Sequence, residues 1–223
     1  LLRLKEELKK IVHSFSSDRI GLIIFSSDAF LQCPLTYDQS ALNLFIETLN
    51  SNLVPNTGTD FAPPLKLALT KLSNEESSLS RSTSKAIILI SDGEDFGGES
   101  EKVAGQIKQS GIKLFTLGIG TEGGSRILTS TGYKKDKSGK EVVTKLDARV
   151  LKRLAINTDG RYFEISDQQN DTDRLINTIS NIEGEIRESR KMDVETNKYM
   201  YFLFFALILI LIDLLTNVKV LRI

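Results

Sequence analysis

Three short apolar runs constrain this chain more than any other feature. They are Ile20-Gly-Leu-Ile-Ile-Phe25, Ala86-Ile-Ile-Leu-Ile90 and Ile112-Lys-Leu-Phe-Thr-Leu-Gly-Ile119. Each is shorter than a usual helix and rich in β-branched residues, so each reads as a strand. A near-continuous apolar run is what a strand looks like when both faces are covered. The first run therefore predicts a strand buried on both faces, and the second is the strongest buried-strand signal in the chain. Between the runs the apolar period changes to that of a helix. Leu1, Leu4, Leu8, Ile11 and Phe15 share one helical face, with Arg3, Lys5, Glu6, Lys9 and Lys10 on the other. Further helices read from Ser40 to Leu49, Phe61 to Leu72, Glu99 to Ser110, Leu146 to Ala155 and Asp171 to Arg190, with weaker strands from Phe30 to Leu35 and Arg161 to Ile165. Strands alternating with helices predict an α/β fold, a doubly wound, mostly parallel sheet covered on both faces.

The order begins with a helix. A doubly wound sheet normally begins with a strand, usually a central one. With no initiator methionine present, the expectation is an N-terminally truncated chain lacking its first central strand. Residues 121–147 break the rhythm. Asp136-Lys-Ser-Gly139 lies between Gly132-Tyr133 and Val142-Val143, which predicts a β-hairpin insert. The expected organisation is a domain over 1–190 carrying that insert, a linker over 191–198, a transmembrane helix over 199–218 and a short tail over 219–223.

The transmembrane expectation rests on a run from Tyr199 that is apolar to Leu215 except for Asp213. Twenty helical residues, 199–218, span roughly 30 Å, the thickness of a bilayer's hydrocarbon core. Tyr199 and Tyr201 sit where interfacial aromatics belong, and Lys198 and Lys219 flank the run. The alternative is a buried core helix. Counted literally, Arg187, Arg190, Lys191 and Lys198 before the segment would place the domain in the cytoplasm.

Composition excludes several functions. Lys plus Arg is 29 and Asp plus Glu is 29, a net charge of zero. That lacks the basic stripe of a nucleic-acid binder. One cysteine, Cys33, and one histidine, His13, leave no material for an internal disulfide, a His-based triad or a Cys/His zinc site. Cys33 reads as a small core residue and His13 as a partly exposed helical one. Any metal would be a hard cation held by oxygens.

In an open parallel sheet, ligands bind at loops beyond the carboxyl ends of strands. Two such loops stand out: Asn56-Thr57-Gly58-Thr59-Asp60 before a helix and Ser91-Asp92-Gly93-Glu94-Asp95 after a strand. A hydroxyl and a carboxylate from separate loops make a sensible partial shell for Mg²⁺. The plainer reading is that Thr57, Thr59 and Asp60 cap a helix and Asp92 makes a turn. Gly118-Ile-Gly120-Thr-Glu-Gly123 matches a dinucleotide fingerprint literally, but that motif needs a helix opening at its third glycine. Here Gly124-Ser125 leads into the lysine-rich insert, so no nucleotide site is expected.

Several strings together carry a resemblance. Asp18-Arg-Ile-Gly-Leu-Ile-Ile-Phe25, Gln32-Cys-Pro-Leu-Thr36, Gly58-Thr59, Leu89-Ile-Ser-Asp-Gly-Glu-Asp95 and Thr116-Leu-Gly-Ile-Gly-Thr121 resemble a von Willebrand factor A (VWA) domain. The chain is further similar to the membrane-anchored bacterial Bat (aerotolerance) proteins. Lys140-Glu-Val-Val-Thr-Lys-Leu-Asp147, Asp159-Gly-Arg-Tyr162 and the apolar tail resemble the BatB branch. The resemblance implies a metal-ion-dependent adhesion site with Thr59 and Asp92 as metal ligands for Mg²⁺ or Mn²⁺. A further Asp-x-Ser-x-Ser loop of that site would lie upstream of Leu1, so binding by this stretch alone is expected to be weak or absent. The resemblance also implies a non-enzymatic protein-interaction module. Its partners would be sibling Bat proteins and a MoxR-type ATPase, with no nucleic acid and no small-molecule substrate. It implies a periplasmic domain held at the inner membrane, against the literal charge count. Two other readings stand beside it: a scaffold with a dead metal site acting through membrane-helix and domain packing, and a Mg²⁺-dependent hydrolase using Asp92, Glu94 and Asp95.

Overall fold

The computed structural model describes residues 1–50, 53–54, 58–73, 84–120, 124–126, 128–129, 132–133, 139, 143–144, 146–182 and 203–212. They fall into two units, residues 1–180 and 181–223. The elements in chain order are α1 (Leu2–Ser14), β1 (Ile20–Phe25), β2 (Ala29–Thr36), α2 (Gln39–Thr48), α3 (Ala62–Ser73), β3 (Ala86–Ser91), α4 (Ser100–Gln109) and β4 (Lys113–Ile119). The short strands β5 (Ser125–Arg126), β6 (Leu128–Thr129), β7 (Gly132–Tyr133) and β8 (Val143–Thr144) follow, then α5 (Ala148–Asn157) and β9 (Tyr162–Ile165). Residues 172–182 form α6 and residues 203–212 form α7.

Local chemistry starts two helices where side chains can cap them. The Asp38 carboxylate accepts the Ala41 amide at 2.9 Å to open α2, and Asp147 accepts the Arg149 amide at 3.0 Å to open α5. Each satisfies an amide that the helix itself leaves unpaired.

β4 is the centre of a parallel sheet of order β3-β4-β9. Ile88 pairs with Phe115, and Leu117 with Phe163. Successive side chains of β4 point to opposite faces. Leu114 joins Val103, Ile107, Leu151 and Leu154 of α4 and α5 in one core, and the Thr116 hydroxyl donates to the Leu151 carbonyl at 3.0 Å. On the other side Phe115 meets the Phe163 ring at 6.5 Å between centroids. β4 is thus covered on both faces, and Leu114 through Leu117 are at most 1% exposed.

β1 and β2 form a separate antiparallel hairpin, interrupted by register shifts between Ile20 and Ile23. Among the described residues no ladder joins β1 to β3. The two strands nevertheless share the core built on Phe61 and Leu65 of α3, through Phe25 and Leu89, and the Phe25 and Phe61 rings meet edge to face at 6.0 Å. This corrects the expected burial. No residue of β1 is fully buried, and in β3 only Leu89 is. Among the described residues β1 and β3 are each paired along one edge, whereas β4 has neighbours on both. Apolar sequence reported strand character correctly and coverage only in part.

A second core lies under α1 and α2, where Val12, Leu42, Ile46 and Cys33 pack together. Cys33 is 2% exposed, and burial raises its thiol pKa. His13 is exposed on α1. The described part of the insert forms two short antiparallel ladders, β5 with β8 and β6 with β7. Residues 183–200, which include the end of the last expected helix and the linker, lie outside the described residues.

Only part of the expected transmembrane helix falls among the described residues. Its described part, α7, holds residues 203–212, and a helix of that length covers roughly 15 Å. Among the described residues no helix is long and apolar enough to cross a membrane. The remaining stretches of 199–218 lie outside the described residues.

Candidate site at the carboxyl edge

Three backbone hydrogen bonds stitch together the loops where a site was expected. The Asp60 amide donates to the Ser26 carbonyl at 2.9 Å, joining the loop before α3 to the end of β1. The Phe96 amide donates to the Thr59 carbonyl at 2.9 Å, joining that loop to the one after β3. The Asp147 amide donates to the Asp92 carbonyl at 2.9 Å, bringing in the start of α5. Gly93 makes the last approach possible. Its φ is +90°, and a Cβ there would collide with the Asp147 carbonyl.

The carboxylates on these loops divide by duty. Asp60 accepts the Ala62 amide at 2.8 Å and so caps α3. Asp95 accepts the Phe61 and Gly97 amides at 3.2 and 3.1 Å, and its other oxygen accepts the Ser100 hydroxyl. Asp147 is gripped by the Arg149 guanidinium at 3.0 and 2.7 Å. The side-chain and backbone hydrogen bonds from Arg149 lower its pKa from 3.8 to about 2. These three groups hold the fold together. That weighs against the hydrolase reading for Asp95, because both of its oxygens are occupied.

Thr59 and Asp92 differ. Thr59 is half-buried, and its hydroxyl has no hydrogen-bond partner among the described residues. One oxygen of Asp92 makes two long contacts, at 3.4 Å, with the Ser91 hydroxyl and the Glu94 amide. Its other oxygen has no partner among the described residues. The structure thus brings the two sequence-selected residues onto loops linked through Phe96, with oxygens left over. Asn56 and Thr57 lie outside the described residues.

Sequence reasoning missed Ser26. Its hydroxyl is buried with no hydrogen-bond partner among the described residues, on the loop that the Asp60 amide ties down. The only signal was its place directly after the β1 run. A buried, unsatisfied hydroxyl costs about 1–3 kcal/mol. The donor set of hydroxyl and carboxylate oxygens suits a hard divalent cation. Among the described residues no three His, Cys, Asp or Glu side chains cluster to hold one. The glycine motif at 118–123 ends β4, and the next described element is the strand β5, not a helix.

Comparison with known proteins bears on the fold. The von Willebrand factor type A domain model matches residues 1–170. An uncharacterized protein of Borreliella burgdorferi is 25% identical over 167 residues, which is 73% of this chain and 46% of the relative. The chain therefore spans about half the length of that curated relative. The crystal structure of BatB from Bacteroides thetaiotaomicron is similar at 25% identity and a TM-score of 0.73, covering 82% of this chain and 87% of that one. An aerotolerance-related membrane protein from Bacteroides fragilis is similar at 26% identity and a TM-score of 0.66, covering 78% and 88%. The same fold at 15% identity and a TM-score of 0.54, covering 78% of this chain and 39% of that one, occurs in a mussel byssus thread matrix protein solved with a zinc-occupied MIDAS motif, the metal-ion-dependent adhesion site.

Proposed function

This chain belongs to the von Willebrand factor type A domain family, and from that membership we propose that it is a membrane-anchored protein-interaction module of the Bat type. A divalent cation at the carboxyl edge completes its contact with a partner. The observation that carries this reading is the division of duty among the edge oxygens. Asp60, Asp95 and Asp147 are spent on holding loops, while the Thr59 hydroxyl and one Asp92 oxygen are left available on loops that backbone hydrogen bonds fix in place.

In this reading Thr59 and Asp92 hold Mg²⁺ or Mn²⁺. When bound, the cation supplies a positive charge that an acidic side chain of a partner protein can ligate. The chain's own residues orient and restrain. Asp147 and Gly93 fix the Asp92 backbone, and the Phe96 amide fixes Thr59. In this reading the module binds a partner rather than turning over a substrate. Sibling Bat proteins and a MoxR-type ATPase are the partners we propose.

Anchoring is supported by α7. All ten of its residues are exposed, including Phe204 at 65% and Ile210 at 66%. A helix apolar on every face needs cover, and lipid supplies it. We propose that 199–218 crosses the inner membrane and that the domain lies in the periplasm.

Capture of a sibling Bat protein by the full-length protein tests the module reading. Capture in Mg²⁺ should be lost with a chelator and with Asp92→Ala. Capture indifferent to both would remove the metal from the mechanism.

A further inference from the structure

Residues 59–61 and 95–97 lie side by side and are tied at successive points. The Phe96 amide donates to the Thr59 carbonyl at 2.9 Å. The Phe61 amide donates to the Asp95 carboxylate at 3.2 Å. Gly97 comes so near the Asp60 carboxylate that a Cβ there would lie 2.1 Å from its oxygen. Thr59 is therefore placed from the loop that carries Asp92, and not only from its own helix α3.

Asp95 is the side chain on which this clasp depends. One of its oxygens takes the Phe61 and Gly97 amides, at 3.2 and 3.1 Å. The other takes the hydroxyl of Ser100, the first residue of α4 and only 4% exposed. Helix α4 is itself fixed by Val103, Ala104 and Ile107 in the core. Restraint thus runs from the core through α4 to Asp95, and from Asp95 to the segment bearing Thr59. Capping alone does not account for it. Asp60 already caps α3 through the Ala62 amide, and Asp95 belongs to neither helix. Groups behind a metal's ligands orient those ligands, and losing one costs roughly 10–100-fold in metal affinity.

We propose that Asp95 is a positioning residue for the cation. Without touching the ion, it sets the spacing between the Thr59 hydroxyl and the Asp92 carboxylate. This rests on the reading of Thr59 and Asp92 as cation ligands. The role of the Asp95 carboxylate is geometric. An amide of the same shape still accepts from Phe61 and Gly97 through its oxygen, and the Ser100 hydroxyl can turn to accept from its nitrogen. Alanine offers none of these contacts.

Mn²⁺ binding to the full-length protein, read by electron paramagnetic resonance, tests the role. Asp95→Ala should weaken binding about tenfold, and Asp95→Asn should keep most of the affinity. Leu114→Ala, which destabilises through the core instead, should bind Mn²⁺ as the wild type does. In the metal-free protein, hydrogen exchange at residues 95–97 should quicken with Asp95→Ala and not with Asp95→Asn. Equal weakening by Asp95→Asn and Asp95→Ala would mean that Asp95 acts through its charge, and would overturn the proposal. Wild-type affinity in Asp95→Ala, unquickened exchange, or equal weakening by Leu114→Ala would overturn it too. If Asp95→Ala does not fold, Ser100→Ala takes its place. By releasing one end of Asp95 it should weaken Mn²⁺ binding, and unchanged affinity would overturn the proposal. No saturable Mn²⁺ binding by the wild type would instead remove the cation reading itself, and this proposal with it.

Discussion

Gly93 is where a single methyl group should do the most damage to the carboxyl edge. Its φ of +90° lies in a region that costs a residue with a Cβ about 1–2 kcal/mol. The added carbon would also overlap the Asp147 carbonyl. Backbone is the obstacle there, so relief requires the Asp92 loop and the start of α5 to separate. Overpacking of this kind costs about 1–3 kcal/mol, and the hydrogen bond from the Asp147 amide to the Asp92 carbonyl is worth about 0.5–1.5 kcal/mol more. These contributions overlap, and about 3 kcal/mol is the expected total for Gly93→Ala. For a domain of this size that lowers Tm by about 6–12 °C. Thermal unfolding of the full-length protein in detergent, followed by circular dichroism, measures it. Gly98→Ala is the internal control, because a Cβ there meets nothing within 4 Å. A Gly93→Ala protein as stable as Gly98→Ala would mean that the loop slides off Asp147 freely. Asp92 would then not be held in place by the fold.

Other outcomes follow from the same contacts. Asp147→Ala removes the cap of α5 and should cost about 1 kcal/mol in urea unfolding, with Asp147→Asn keeping most of the cap. The Asp147 pKa is lowered to about 2 in the folded protein from an ordinary 3.8. Its charged form therefore contributes stability above about pH 4, and that contribution is lost as pH falls from about 4 to about 2. Because both partners reach solvent, the effect is small, and an acid titration of Asp147→Asn should run parallel to wild type above pH 5 and diverge only below 4. Thr116→Val should cost about 1 kcal/mol through the lost hydrogen bond to the Leu151 carbonyl. Leu114→Ala, at a fully buried position, should cost about 2–5 kcal/mol. Both are measured by urea midpoints at constant slope.

What the sequence disclosed tracks the range of the interactions involved. The β3 and β4 strands were legible because Ala86-Ile-Ile-Leu-Ile90 and the run ending at Ile119 carry their own pattern. The hidden features all depend on contacts distant in the chain. Nothing local distinguishes Asp95, which locks α3 and α4, from Asp92, which is left available. Both are aspartates in one turn-rich loop, and only the partners Phe61 and Ser100 separate them. The approach of Asp147 to Gly93 joins residues far apart in sequence. The incomplete burial of Ile20 to Phe25 goes with pairing along one edge among the described residues, which side-chain polarity does not encode. Thr59 and Asp92 themselves were no better than caps and turns by spacing. The family resemblance singled them out, and the hydrogen-bond map left them with unclaimed oxygens.

The central claim is that Thr59 and Asp92 contribute to one divalent-cation site. Mn²⁺ titration of the full-length protein, with free Mn²⁺ read by electron paramagnetic resonance, tests it most directly. One saturable site should be found, weakened at least tenfold by Asp92→Ala and by Thr59→Ala and unchanged by Asp147→Asn. No saturable binding, or binding indifferent to Asp92→Ala, would contradict it.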